Sequence, residues 1–171
     1  MSTSAEPQVT LLSRLTLDYS PDEDRMKLAG LTQEGALIVA WLSLRLLGRI
    51  VPHLLTQYAS ITASAAHTAA SRQPPNPQEM LGGAEEPVLP ASDTPSFLVD
   101  AADMTQGADA TVLTLRGGRD EVRFAIPATK MTLWLSGLKN LYQVAEWPMT
   151  IWQGADQILL SSTSGQSVTL H

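Results

Sequence analysis

Three histidines are the first residues to consider for catalysis or metal binding, because imidazole titrates near neutral pH and is a common metal ligand. His53 follows a proline in an apolar stretch, His67 lies in a stretch rich in Ala and Ser, and His171 is the last residue. None of them belongs to an HxH or HExxH motif or has a carboxylate at ligand spacing. We therefore predict partly exposed histidines, no metal site and no catalytic histidine.

Acidic residues cluster between Asp18 and Asp24 and are the next candidates, because calcium prefers carboxylate ligands. A calcium loop that begins at Asp18 needs Gly at its sixth position and Glu at its twelfth, where this chain has Glu23 and Ala29. The cluster, which includes Pro21, is instead typical of a solvated turn.

Nucleophile and phosphate motifs are also missing from the sequence. The serine-rich stretch Ser161–Ser167 contains no GxSxG, and Gly82–Gly83 and Gly117–Gly118 do not belong to a GxGxxG or GxxxxGK[ST] motif. The chain has no cysteine, which excludes thiolate catalysis and cysteine zinc sites. We therefore predict no catalytic residue and no cofactor, and we expect a protein that is not an enzyme.

Basic side chains suggest one alternative, a single-stranded nucleic-acid-binding protein. They fall on predicted strands and a hairpin in corresponding parts of two halves of the chain, at Arg25, Lys27, Arg116, Arg119 and Arg123. The predicted order of elements resembles that of the PUR and Whirly-type single-strand-binding folds, although the chain has no motif of either family. Such binding also uses aromatic side chains on the sheet, for which Phe97 and Phe124 are the strand candidates.

Composition favours a soluble globular protein with a sizeable core. Of 171 residues, 44% are apolar and 16% are charged, which argues against disorder. A net charge of -6 disfavours non-specific binding to nucleic acid and to anionic lipid. The start of the chain resembles no signal peptide, and the apolar run Gly35–Leu44 is too short to span a bilayer. We expect a cytoplasmic protein.

The first half of the chain predicts three strands and a helix. Apolar and polar residues alternate over Val9–Leu17 and Arg25–Leu31, and Ala36–Ala40 is a short apolar strand. From about Trp41, apolar residues recur at helical spacing as far as Tyr58, and Pro52 predicts a kink or a break.

The second half repeats this order after a proline-rich stretch. Residues 73–95 contain six prolines and predict an extended linker, whose apolar pairs Met80–Leu81 and Val88–Leu89 could dock on a surface. The strands Phe97–Ala101, Ala110–Leu115 and Glu121–Ile126 follow, then a helix over Thr129–Glu146 with Leu133, Leu141 and Val144 inside. A short strand Met149–Trp152 and a hairpin of Gln157–Ser161 with Gln166–Leu170 complete the prediction.

The two halves match under a single shift that takes Leu28 to Leu115, Gly30 to Gly117, Leu46 to Leu133 and Leu54 to Leu141. We therefore predict an α+β fold of two tandem β-β-β-α units, with antiparallel sheets packed on helices and a C-terminal β-hairpin. The predicted division is residues 8–71 for the first unit, 72–95 for the linker and 96–171 for the second unit with the hairpin. A second unit within the same chain is expected because three strands and one helix leave part of their apolar surface uncovered.

Our first functional hypothesis is a non-enzymatic interaction or assembly protein, whose partner is another protein or a second copy of the chain. The candidate partner-binding residues are Met80, Leu81, Val88, Leu89, Trp147 and Trp152, because linker islands and exposed tryptophans can anchor an interface. Single-stranded nucleic-acid binding is the second hypothesis. A small-ligand protein or enzyme with a site between the halves is the third, because pockets form at such seams.

Overall fold

A computed structural model describes residues 9–68 and 86–161, which form a mixed α+β structure. The strands are β1 Val9–Ser20, β2 Arg25–Thr32, β3 Leu37–Leu42, β4 Ser96–Leu98, β5 Ala101–Gln106, β6 Ala110–Gly117 and β7 Asp120–Pro127. The helices are α1 Leu44–Thr68, α2 Met131–Val144 and α3 Ala155–Ser161, and single 3-10 turns lie at Ala128–Lys130 and Thr150–Trp152. The strands predicted at the start of the chain and around the 118–119 hairpin are therefore confirmed.

The described strands form one curled sheet in the order β4-β3-β2-β1-β7-β6-β5. Its two end strands, β4 and β5, are neighbouring parts of one chain segment and are separated by Val99 and Asp100. The backbone N–H of Val99 donates to the carbonyl of Trp41 in β3, and that of Asp100 donates to the carbonyl of Arg116 in β6. The segment 96–106 therefore joins the two ends of the sheet.

Two pairs of neighbouring strands in the sheet are parallel, β1 with β7 and β4 with β3, and each pairing spans three residues. The first three residues of β1 pair with residues 121–123 of β7, and the three residues of β4 pair with residues 39–41 of β3. Thr10 lies opposite Val122 in the first pairing, and Phe97 lies opposite Ala40 in the second. The sequence shift that takes Leu28 to Leu115 also takes Thr10 to Phe97. All other neighbouring strands pair in antiparallel fashion.

One hydrophobic core lies between the inner face of the sheet and the helices. Alternate residues of β2, β6 and β7 are buried, as expected for strands with one face covered. α1 buries seven residues between Leu46 and Tyr58, and α2 buries Met131, Leu135, Leu138 and Tyr142. The hydroxyls of Tyr58 and Thr132 form a hydrogen bond between the two helices.

Some sequence predictions for the helices are wrong. α1 begins at Leu44 because Trp41 and Leu42 still pair with β2, and the helix continues through Pro52 without a break. Leu133 and Val144 were predicted to lie inside but are exposed. α2 carries apolar residues on more than one face, so its periodicity alone does not identify the face that packs on the sheet.

The predicted C-terminal strands are also wrong where the structure describes them. Met149–Trp152 contains a 3-10 turn instead of a strand, and Gln157–Ser161 belongs to α3. α3 buries Ala155 and Leu159, which are one helical turn apart, and a short apolar run of this kind does not distinguish a helix from a strand. The other predicted arm, Gln166–Leu170, lies outside the described residues, as do residues 69–85 of the predicted linker.

Gly117→Ala tests the closure of the sheet. A Cβ at Gly117 would lie 1.9 Å from the carbonyl oxygen of Leu98 and 2.8 Å from the ring of Phe97, so the backbone of β4 would have to move. We expect the free energy of unfolding in urea to fall by about 3 kcal/mol or more. The control is Gly48→Ala in α1, where an added Cβ meets no other element within 4 Å among the described residues and should stabilise the helix by about 1 kcal/mol. Equal stability of the two variants would contradict the proposed role of Gly117.

Candidate interaction surface

α2 begins and ends at well-defined local features. Pro127 precedes the 3-10 turn Ala128–Lys130, which leads directly into the helix at Met131. At the other end, the N–H of Ala145 donates to the carbonyl of Leu141, and Glu146 adopts a left-handed φ of 55° that turns the chain away from the helix axis. The orientation of α2 is therefore set at both ends by the backbone.

A chain of aromatic rings fixes the C-terminal end of α2 against the sheet. The ring of Trp147 packs edge to face against Tyr19 of β1 and Tyr142 of α2, and Tyr142 packs in the same way against Trp152. Ring centroids in these contacts are 5.2–5.8 Å apart, the favourable range for aromatic pairs.

Asp24 ties this aromatic chain to the turn between β1 and β2. Its carboxylate accepts hydrogen bonds from the indole N–H of Trp147 at 2.9 Å and from the hydroxyl of Tyr19 at 2.8 Å. Both bonds favour the charged form, so Trp147 and then Tyr19 hold the pKa of Asp24 below its usual value. Trp147 thus has a structural role that joins α2 to the sheet.

The outer face of α2 is exposed and carries two large apolar side chains. Leu133 is 75% exposed and Val144 is 61% exposed. These residues are eleven positions apart, which places them on the same side of the helix, with Gly137 and Asn140 between them. Trp134 and Leu141 are partly buried at the edge of this face. We call the residues Leu133, Gly137, Asn140 and Val144 the α2 stripe.

α1 provides an internal comparison for this stripe. Its buried residues Leu47, Val51, Leu54 and Tyr58 have the same spacing as Met131, Leu135, Leu138 and Tyr142 of α2. When the helices are aligned on these residues, the positions of α1 that match the stripe are also exposed, and they are Arg49, His53, Thr56 and Ser60. A helix packed in this way can therefore carry polar residues on its outer face, yet α2 carries Leu133 and Val144 at two of these four positions.

The structure places the predicted partner-binding residues in different environments. Val88 is buried, and its N–H donates to the hydroxyl of Thr16 at 2.8 Å, whereas the side chain of Leu89 is 79% exposed. Trp147 and Trp152 are buried in the aromatic chain. Met80 and Leu81 lie outside the described residues.

The predicted nucleic-acid-binding residues do not form one free basic patch. Arg25 forms an ion pair with Glu23, Arg116 with Asp103, and Arg123 with Glu121. Lys27 is partly buried on β2 and Arg119 is exposed in the β6–β7 turn. The two aromatic candidates, Phe97 and Phe124, are buried in the core, where a base has no access to their faces.

Other sites in the described residues offer little for ligand chemistry. A cavity of about 300 Å³ between α2 and α3 is lined mostly by polar side chains, including the ion pair Lys139–Asp156, and one of about 290 Å³ lies at the start of α1 beside Arg45 and Arg49. Small-molecule pockets are usually mostly apolar. No group of three His, Asp or Glu residues that could hold a metal occurs in residues 9–68 and 86–161. None of the helices in that part of the chain has the length and hydropathy needed to cross a bilayer.

Comparison with known proteins gives no relative for this chain. No family model matches it, and no curated protein or solved structure is significantly similar to it. The α2 stripe is thus the feature of the described surface that most needs an explanation, and the sequence prediction missed it. The sequence shift gave no signal of it, because it aligned Leu133 with Leu46, which is buried in α1.

Asp24→Asn tests the link between the turn and α2 through its pH dependence. Because the folded pKa of Asp24 is lowered, ionised Asp24 stabilises the folded protein above about pH 4, and this contribution is lost as pH falls through the folded pKa. We expect the variant to be less stable than the unsubstituted chain at pH 6, with a smaller difference at pH 3, in urea unfolding. In a Trp147→Phe background, the pH dependence of this difference should shrink. A difference that is the same at both pH values would contradict the link.

Tyr142→Phe and Tyr58→Phe form a matched pair in the two helices. The hydroxyl of Tyr142 is buried and has no hydrogen-bond partner among the described residues, and burial raises its pKa. Its removal should leave the free energy of unfolding unchanged or raise it by about 1 kcal/mol. Tyr58→Phe should lower this free energy by about 1 kcal/mol, because the bond to Thr132 is lost. Urea unfolding of both variants measures the two changes in the free energy of unfolding. A larger decrease for Tyr142→Phe than for Tyr58→Phe would refute this prediction.

Proposed function

We propose that this protein is a non-enzymatic assembly protein that pairs with a second copy of itself through the α2 stripe. The observation that carries the proposal is the exposure of Leu133 and Val144 on the outer face of a helix whose inner face is fully packed. The two side chains lie on one helix face about 16 Å apart, a spacing at which each can contact a different point of one partner.

We further propose that the body is a duplicated β-β-β-α unit, as the sequence predicted, with the first unit in residues 8–71 and the second beginning at 96. The corresponding places of Thr10 and Phe97 in the two parallel pairings support this. The buried residues of α1 and α2 also share one spacing, under a shift of 84 residues instead of the 87 that relates the strands. Leu11 and Leu98, which match under the sequence shift, are 49% and 48% exposed. In such a body the outer face is one of the places where α2 departs from α1, because Arg49 and Ser60 of α1 correspond to Leu133 and Val144 of α2.

The stripe is a place where a second copy can approach. A chain with a net charge of -6 repels its own copies, and this repulsion is weakest where the surface carries no charge. The four residues of the stripe are uncharged. One helix face buries less than the roughly 800 Å² per partner of a standard interface, so we expect a dimer that dissociates on dilution.

Replacing both large apolar residues, Leu133→Ser with Val144→Ser, tests this function. We expect the unsubstituted chain to sediment as a concentration-dependent dimer, and the double variant to bind its own copy at least about a hundredfold more weakly. Because both side chains are exposed, the free energy of unfolding of the monomer should change by less than about 0.5 kcal/mol per substitution.

The matched control is Leu89→Ser, which removes an equally exposed leucine that does not belong to α2. It should leave the dimer intact in analytical ultracentrifugation. An unsubstituted chain that remains a monomer of 18.4 kDa at about 100 μM would refute self-association. So would a dimer that the double variant does not weaken.

A further inference from the structure

We infer that the two copies pair with their α2 helices antiparallel, about a twofold axis that passes between Gly137 and Asn140. This inference rests on the proposed self-association and adds the geometry of the interface. In this arrangement Leu133 of each copy lies opposite Val144 of the other, and Gly137 lies opposite Asn140. A twofold interface must be complementary to itself, and the stripe meets this condition because its large residues are at the ends and its small residue is near the centre.

Gly137 permits a close approach of the two helices. It is exposed in the middle of α2, and within the described part of the chain an added Cβ would meet no atom of another element within 4 Å. Glycine in a helix interior costs about 1 kcal/mol relative to alanine, and no packing contact among residues 9–68 and 86–161 requires a glycine at this position. At a helix crossing, the absence of a side chain lets the backbones approach and leaves space for the Asn140 side chain of the second copy.

Charges at the ends of α2 favour the antiparallel arrangement over the parallel one. Lys130 lies immediately before the helix and Glu146 shortly after it, and neither forms an ion pair among the described residues. Both positions are unfavourable for the dipole of their own helix, whose N-terminus is partially positive and whose C-terminus is partially negative.

An antiparallel partner reverses this relation. Lys130 then lies beside Glu146 and the C-terminal end of α2 in the second copy, and Glu146 lies beside Lys130 and the N-terminal end. A parallel pair would place Lys130 beside Lys130 and Glu146 beside Glu146. The electrostatics of the helix ends therefore select a second copy in antiparallel orientation.

Cysteine cross-linking tests the orientation directly, because the natural chain contains no cysteine. Leu133 and Val144 each lie about 8 Å from the proposed axis, so identical positions are about 16 Å apart, beyond the reach of a disulfide. We expect an equimolar mixture of Leu133→Cys and Val144→Cys chains to form a mixed disulfide on mild oxidation, and each variant alone to remain uncross-linked. Disulfides formed by each variant with itself would show a parallel pair and overturn the inference.

Charge reversal provides a second test that leaves the stripe intact. Lys130→Glu alone and Glu146→Lys alone should each weaken the dimer about tenfold at low ionic strength, and the two together should restore it. In a parallel pair, charge reversal would leave like charges facing like charges and would change the affinity little, which would overturn the inference. A dimer that responds in this second way still supports the proposed function, whereas a chain that never dimerises refutes both.

Discussion

Closure of the sheet by the segment 96–106 is the constraint on which the rest of the structure depends. This segment bonds first to β3 and then to β6, and its path leaves no room for a side chain at Gly117. Because the ends of the sheet are joined, the sheet is fixed in its curl and presents one inner face to the helices. α1 and α2 are then held at defined places, so the exposure of the outer face of α2 follows from the closure and not from loose packing.

Different forces attach α2 on its inner face and at its C-terminal end. Its inner side is held by apolar burial, which has no preferred direction, while Trp147 and Asp24 add directional hydrogen bonds at its C-terminal end. A helix used as a binding surface benefits from such attachment, because little conformational entropy is lost when a partner docks on it. The α2 stripe is therefore a rigid binding surface. Leu89 lies on a segment without regular secondary structure and is a weaker candidate for binding a partner.

Much of the fold followed from the sequence, and the part that failed has a physical reason. Alternation located β1 and β2, because each turns alternate apolar residues towards the core, and the Gly117–Gly118 turn located β6 and β7. Near the C-terminus, short apolar runs such as Gln157–Ser161 have no period long enough to separate helix from strand. The stripe was missed for a related reason. Leu133 and Val144 follow the apolar pattern of a buried face, and only the packing of Leu135 and Leu138 shows that the sheet lies on the other side.

The pairing of β1 with β7 also has a consequence for how the chain is made. Val9 pairs with Glu121, more than a hundred residues later, so a ribosome synthesising 5–20 residues per second leaves the free side of β1 without its neighbour for on the order of ten seconds. During that time the nascent chain exposes Val9 and Leu11 together with an unpaired strand edge. Until β7 has been synthesised, this edge of β1 is therefore open to pairing with a strand of another chain, which is a route to aggregation.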